Sequence, residues 1–168
     1  MVADIIPEIP GLECFAQEDP KGGKSEKYLF TAKGKMIARD QEVPPCRDWI
    51  FWDGDLLREY IAPETRESGP PQPGIIRGLS IMKYKDGKNQ ETVRGTVLMM
   101  ADLFGDWREE LITSVPGELL IWKTNIPAKD RRICLMQDPL YRSDIVHRSM
   151  GYFQSPVTSF YLGEKKIR

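Results

Sequence analysis

One histidine and three cysteines in 168 residues leave little room for chemistry built on imidazole or thiolate. Cys14, Cys46 and Cys134 are far apart, odd in number and form no CxxC pair, which excludes a disulfide framework and a zinc site. His147 has no second histidine nearby, so it is read as a satisfied structural residue without a partner for triad chemistry. A charge excess is missing too. Basic and acidic side chains number 24 and 25 and are interleaved, so the net charge of −1 gives no footprint for nucleic acid or an anionic membrane. No apolar stretch is long enough to cross a bilayer, and the opening "MVADIIPEIPG" lacks the positive n-region of a signal peptide.

Punctuation is what the chain has in quantity. Thirteen prolines and fourteen glycines separate short apolar runs: "GLECFA", "KYLFTA", "KMIA", "DWIFW", "GIIRGLSIMKY", "GTVLMM", "EELITSV", "ELLIWKT", "RRICLM" and "SFYLG". Each has strand length and stops at a turn signal, which predicts an all-β chain of antiparallel hairpins. "TAKGKMIA" predicts a hairpin turning near Gly34, and "KYKDGKNQ" another at Asp86-Gly87. No apolar stripe at i, i+3, i+4, i+7 is long enough to predict a helix. At 40% hydrophobic residues, 1–168 reads as a single domain, with the Pro-rich stretch 63–74 as a long internal loop.

A repeat is carried by Gly-Asp followed shortly by Arg-Glu. "WDGDLLREYI" and "LFGDWREELI" place Asp55 and Asp106 one propeller-blade length apart, favouring blades over a sandwich. In both turns carboxylates surround a glycine, and such an oxygen-rich turn suits calcium through Asp53 and Asp55. The alternative is that Asp55 and Asp106 accept backbone N–H bonds at tight turns while Arg58 and Arg108 pair with neighbouring carboxylates, fixing one blade on the next. For Asp106 this second reading is preferred. Trp52 and Trp107 read as wedges between sheets. Tyr152 and Gln154, in "MGYFQSP", sit in a glycine-flanked turn that suits either a sugar site or a blade-closing plug.

Three stretches together, "ADLFGDWREEL", "RRICLMQDPLYR" and "MGYFQSPVTSFYLG", resemble the C-terminal part of the eight-bladed propeller rhamnogalacturonan lyases. "IPGLECFA", "TAKGKMIA" and "WDGDLLRE" look like the preceding blade of that family. The likeness covers nearly the whole chain but only the last third or less of such an enzyme, so it implies a partial propeller of the final blades. It implies pectic rhamnogalacturonan I as partner, cleaved by calcium-assisted β-elimination, in a secreted or periplasmic setting. A divalent ion would neutralise the uronate carboxylate and acidify the C5 proton.

Carried over onto these positions, the resemblance makes Asp102 a calcium ligand, with Ser149, Gly151 and Phe153 falling where the family's last turn supplies calcium. Of these three, only a backbone carbonyl such as that of Gly151 could serve unchanged. Tyr152 matches a tyrosine near the substrate, and Arg94 stands where the family carries a sugar-facing lysine. The resemblance thereby makes Arg94 and Tyr152 the catalytic candidates and both, with Gln154, substrate-binding, although Arg94, which keeps the cation, is a poor proton acceptor. Gln137 replaces the histidine before Asp-Pro. Three functions follow: the last blades of a lyase of altered specificity, a non-catalytic carbohydrate-binding or assembly module, or a truncated product whose partial propeller needs a partner chain. The isolated chain is expected to be inactive and to self-associate or bind a partner chain.

Overall fold

A computed structural model describes residues 1–18, 25–44, 48–63, 78–86, 89–152 and 154–163. Its strands build three antiparallel sheets that succeed one another along the chain. The first holds β1 (Val2–Ala3), β2 (Glu13–Gln17), β3 (Lys27–Thr31) and β4 (Met36–Arg39) in sequence order. The second holds β5 (Trp49–Ile50), β6 (Glu59–Pro63), β7 (Gly78–Met82) and β8 (Asn89–Arg94), again in order. The third has β9 (Thr96–Ala101), β10 (Glu110–Val115) and β11 (Glu118–Trp122), with β10 central.

The period-two pattern does the sorting. In β7, Leu79 and Ile81 are buried while Gly78, Ser80 and Met82 are only partly covered. Gly34 takes φ +82 and its N–H donates to the Thr31 carbonyl at 2.8 Å, closing the expected β3–β4 hairpin. β7 and β8 pair as the second predicted hairpin, with Asp86 in its turn. Gly87, Cys46, Phe153 and all of the Pro-rich stretch beyond Pro63 lie outside the described residues.

Apolar clusters lie between successive sheets. Ala3, Ile5, Phe15 and Leu29 of the first meet Trp49 of the second. Ile50, Ile61, Ile81 and Val93 of the second meet Met100 and Leu111 of the third. Trp52 and Trp107 are buried, as their reading as wedges requires.

Three expectations need correction. Helix α1 (Pro139–Ser149) forms where none is predicted. Asp138 caps it, accepting from the Leu140 N–H at 3.1 Å, and Pro139 opens it. "RRICLM" is not a strand: the Leu135 N–H donates to Asp102 and the chain tightens into a 3-10 turn at Leu135–Gln137. "SFYLG" is not one either. The Ser159 N–H donates to Asp138 at 2.5 Å, and Leu162 packs with Phe51, Trp107, Leu135 and Tyr141 in a third cluster. The all-β expectation thus holds for the sheets, with helix α1 laid beside the third.

Candidate functional site

Each sheet begins its second strand with a buried glutamate. Glu13, Glu59 and Glu110 lie opposite Ala3, Ile50 and Ala101, the last residues of their first strands. Each carboxylate turns back onto the chain leaving that first strand, accepting from Ile5 N–H at 2.9 Å, Trp52 N–H at 3.0 Å and Leu103 N–H at 2.9 Å. The charge that crowds these turns is therefore structural in part. It replaces ladder partners that the backbone loses as it leaves the sheet.

Successive sheets are also bonded to each other at this end. Arg58 N–H donates to the Asp4 carbonyl at 2.8 Å, and Glu109 N–H donates to the Phe51 carbonyl at 2.9 Å. The Arg58 guanidinium pairs with Glu109 at 3.3 Å, donates to the Trp49 and Pro156 carbonyls at 2.8 Å, and lies 4.0 Å from the Phe51 ring centroid. Glu109 accepts in turn from Phe51 N–H at 2.8 Å and the Tyr141 hydroxyl at 2.7 Å. Pairing across sheets is thus the role Arg58 plays. Asp106 pairs with Arg108 at 2.5 Å and accepts from its backbone N–H at 3.2 Å. Burial alone would raise the Asp106 pKa, but the bonds and charge of Arg108 prevail and hold it below the usual carboxylate range.

Asp102 is 1% exposed and occupied by amides. One oxygen accepts from Gly105 N–H at 2.7 Å, the other from Trp107 N–H at 3.2 Å and Leu135 N–H at 2.7 Å. Gly105 takes φ +77 to make this turn. Three amide hydrogens aimed at one carboxylate make Asp102 the organiser of these loops. Among the described residues no pair of His, Cys, Asp or Glu side chains joins Asp102 in a metal cluster.

Asp53, Asp55 and Glu59 do come together, each offering an oxygen within 4.8 Å of the others. Gly54 is needed between the first two, because a Cβ there would lie 2.7 Å from the Pro127 carbonyl oxygen. Lys83 enters the same group, its Nζ 2.6 Å from Asp53 Oδ2, bonded to Asp55 Oδ2 and 3.7 Å from Glu59 Oε1. Burial would lower the Lys83 pKa, yet its bonds to Asp53 and Asp55 raise it. Burial, helped by the Asp53 charge, pushes Glu59 up to about 8. With an ammonium among the three carboxylates, the group as arranged does not fit a divalent ion.

The remaining expected residues lie elsewhere. Arg94 ends β8, half exposed, with Glu118 at 3.5 Å. It precedes β9, whereas Asp102 follows it, so about 20 Å of strand separates them. Helix α1 runs antiparallel to β9: the Tyr141 hydroxyl meets Asp102 N–H at 3.1 Å, while Arg148 donates to the Leu98 carbonyl at 2.7 Å. Ser149, Gly151, Tyr152 and Gln154 therefore follow the helix end directed toward the Arg94 side. Asp102, the Asp53–Asp55 turn and the Ser149–Gly151 turn form no single metal centre.

Tyr152 is 68% exposed, its ring 6.4 Å from that of His147 in an edge contact. His147 sits on the open side of the helix, 3.9 Å from Asp144, and not in a core. Ser149 Oγ donates to the Val146 carbonyl at 2.6 Å, and Gly151 adopts φ +92. Arg148, not singled out from the sequence, clasps this turn. It donates to the Gln154 carbonyl at 3.3 Å and to Asp48 of the second sheet's approach at 2.8 Å.

The buried glutamates carry a pH dependence. Burial raises Glu13 from 4.5 to about 7, against the bond from Ile5 N–H. A proton held by the folded state and released by the unfolded one stabilises fully below the unfolded pKa, and that gain is lost as pH rises through the folded pKa. The melting temperature is expected to fall between pH 5 and 8, with Glu13→Gln making the decline shallower. Identical slopes in parent and variant over that interval would remove Glu13 as the cause.

Residues 1–167 match the family model described as rhamnogalacturonan lyase family 11, C-terminal domain. Rhamnogalacturonan endolyase YesW of Bacillus subtilis is 36% identical over 167 residues, covering 98% of this chain and 25% of the relative. Rhamnogalacturonan exolyase YesX of the same organism is 35% identical over 174 residues, covering 97% and 28%. The crystal structure of rhamnogalacturonan lyase YesW at 1.40 Å superposes with a TM-score of 0.70 at 33% identity, over 98% of this chain and 27% of that one. The chain thus spans about a quarter of the length of these relatives. Its three serial sheets, with the turns at their strand ends, belong to rhamnogalacturonan lyase family 11, as that family's C-terminal domain.

Proposed function

We propose that the chain forms consecutive blades of a propeller ring and presents its Arg94–Tyr152 end to rhamnogalacturonan I, as part of a β-eliminating lyase. The observation that carries this is the antiparallel docking of α1 on β9, which directs Tyr152 toward the end of the third sheet entered from Arg94. The relatives named as rhamnogalacturonan endolyase and exolyase support the polysaccharide. The ring reading is supported by the open face of the third sheet, where Leu119 and Ile121 are 63% and 53% exposed. In the relatives, the remaining three quarters of the chain is available to cover such a face.

In this reading the Arg94 guanidinium forks onto a uronate carboxylate, and the Tyr152 ring stacks on a sugar face with its hydroxyl free to bond. Neutralising that carboxylate favours transfer of the neighbouring C5 proton to a base supplied by the rest of the lyase; the freed electron pair forms the C4–C5 double bond as the C4–O bond breaks, and the departing sugar oxygen keeps that bond's pair and takes up a proton. Gln154 flanks the same turn.

Titration of the chain with saturated rhamnogalacturonan I oligosaccharides, followed by calorimetry in parent and variants and by the Tyr152 ring resonances where that ring is present, tests the reading. Arg94→Ala and Tyr152→Ala are each expected to weaken binding about tenfold, or about 1.4 kcal/mol. The chain alone should release no unsaturated product. Binding unchanged in both variants would end the proposal, and ultraviolet-absorbing product from this chain would place the whole reaction within its three sheets.

A further inference from the structure

The turn between β5 and β6 assembles what an oxygen-binding cation asks for. Asp53, Asp55 and Glu59 place one carboxylate oxygen each within 4.8 Å of the others. Opposite ligands of a calcium ion stand about 5 Å apart, since each bond is roughly 2.4 Å, so the cage has the right span. Glu59 is fully buried, and its Oε1 has no hydrogen-bond partner among the described residues. Desolvating such an oxygen costs free energy unless a positive group faces it.

That positive group is on the neighbouring strand. The β6–β7 register pairs Tyr60 with Met82, so the next step sets Lys83 beside Glu59. Its side chain, 19% exposed, enters the cage, with Nζ hydrogen-bonded to Asp53 and Asp55 and 3.7 Å from Glu59 Oε1. The ammonium thus bonds two carboxylates directly and faces the third carboxyl at longer range.

We propose that Lys83 is the resident cation of this turn, a covalently tethered ammonium standing where a divalent ion would otherwise hold the strand end. The sheet then keeps its acidic turn closed without metal, and Asp53 and Asp55 serve as partners of Lys83. The same geometry carries a second consequence. Removing the ammonium, while leaving the carboxylates, converts the turn into a metal site, because the cage already has calcium dimensions.

Parent chain, Lys83→Met, and Lys83→Met combined with Asp53→Asn are compared by melting temperature in chelator and in millimolar calcium. The parent is expected to melt at one temperature in both. Lys83→Met should melt several degrees lower in chelator and recover with calcium, by mass action on the folded state alone. Asp53→Asn in that background should abolish the recovery. Terbium, read by emission sensitised through the adjacent Trp52, should bind Lys83→Met and not the parent. If Lys83→Met does not fold, the parent still decides. Calcium-dependent stabilisation of the parent that Asp53→Asn abolishes overturns the proposal, and a parent indifferent to calcium and terbium supports it. A folded Lys83→Met as stable as the parent in chelator also overturns it.

Discussion

Glu109→Ala is expected to cost about 3–5 kcal/mol, the penalty for leaving a buried partner charge unpaired. Its carboxylate takes the Phe51 N–H of the second sheet, the Tyr141 hydroxyl of α1 and the Arg58 guanidinium at once. Truncation strands Arg58, which is 4% exposed, with only carbonyl acceptors and the Phe51 face for company. Tyr141→Phe removes one neutral donor and should cost only about 1 kcal/mol. Urea denaturation of both variants would separate these magnitudes. A Glu109→Ala chain within 1 kcal/mol of the parent would mean that the sheet junction does not rest on this carboxylate.

The second large effect is at Asp102. Asp102→Ala removes the acceptor of the Gly105, Trp107 and Leu135 amides, and each of the two buried donors, Trp107 and Leu135, costs about 1–3 kcal/mol when left unpaired. A total loss of about 3 kcal/mol or more is expected, equal in calcium and in chelator. Asp102→Asn keeps the shape but turns an NH2 toward an N–H, so it should recover only part of that loss. This pair of variants distinguishes a carboxylate that organises loops from one that holds metal. Parent-like stability of Asp102→Ala in chelator, together with lost calcium stabilisation, would favour the metal.

Eight of the ten apolar runs became strands because alternation and the Gly/Pro stops record a local constraint. The two failures, "RRICLM" and "SFYLG", look like strands but are fixed by distant carboxylates, Asp102 and Asp138, which no local pattern announces. Helix α1 escaped for a different reason. Its buried positions, Tyr141, Asp144 and Arg148, have helical spacing, but two of the three are charged, so no apolar stripe exists. Asp138-Pro139 was the available signal, a cap followed by a helix-opening proline. Lys83 was hidden inside a predicted turn, and only the β6–β7 register carries it to Asp53 and Asp55. Tyr152 was marked by its glycine-flanked turn and then by resemblance, and Arg94 by resemblance alone. Their common direction could not, because it depends on which way α1 lies along β9.

The serial order of the sheets has a consequence for how the molecule opens. Among the described residues, each sheet shares apolar clusters only with its neighbours in the chain, and the second alone is flanked on both sides. In such a row, cohesion belongs to the junctions more than to the units, and a unit with two junctions is released last. Slow breathing should thus begin at the outer two sheets and reach the amides of β6 and β7 only when the whole row comes apart.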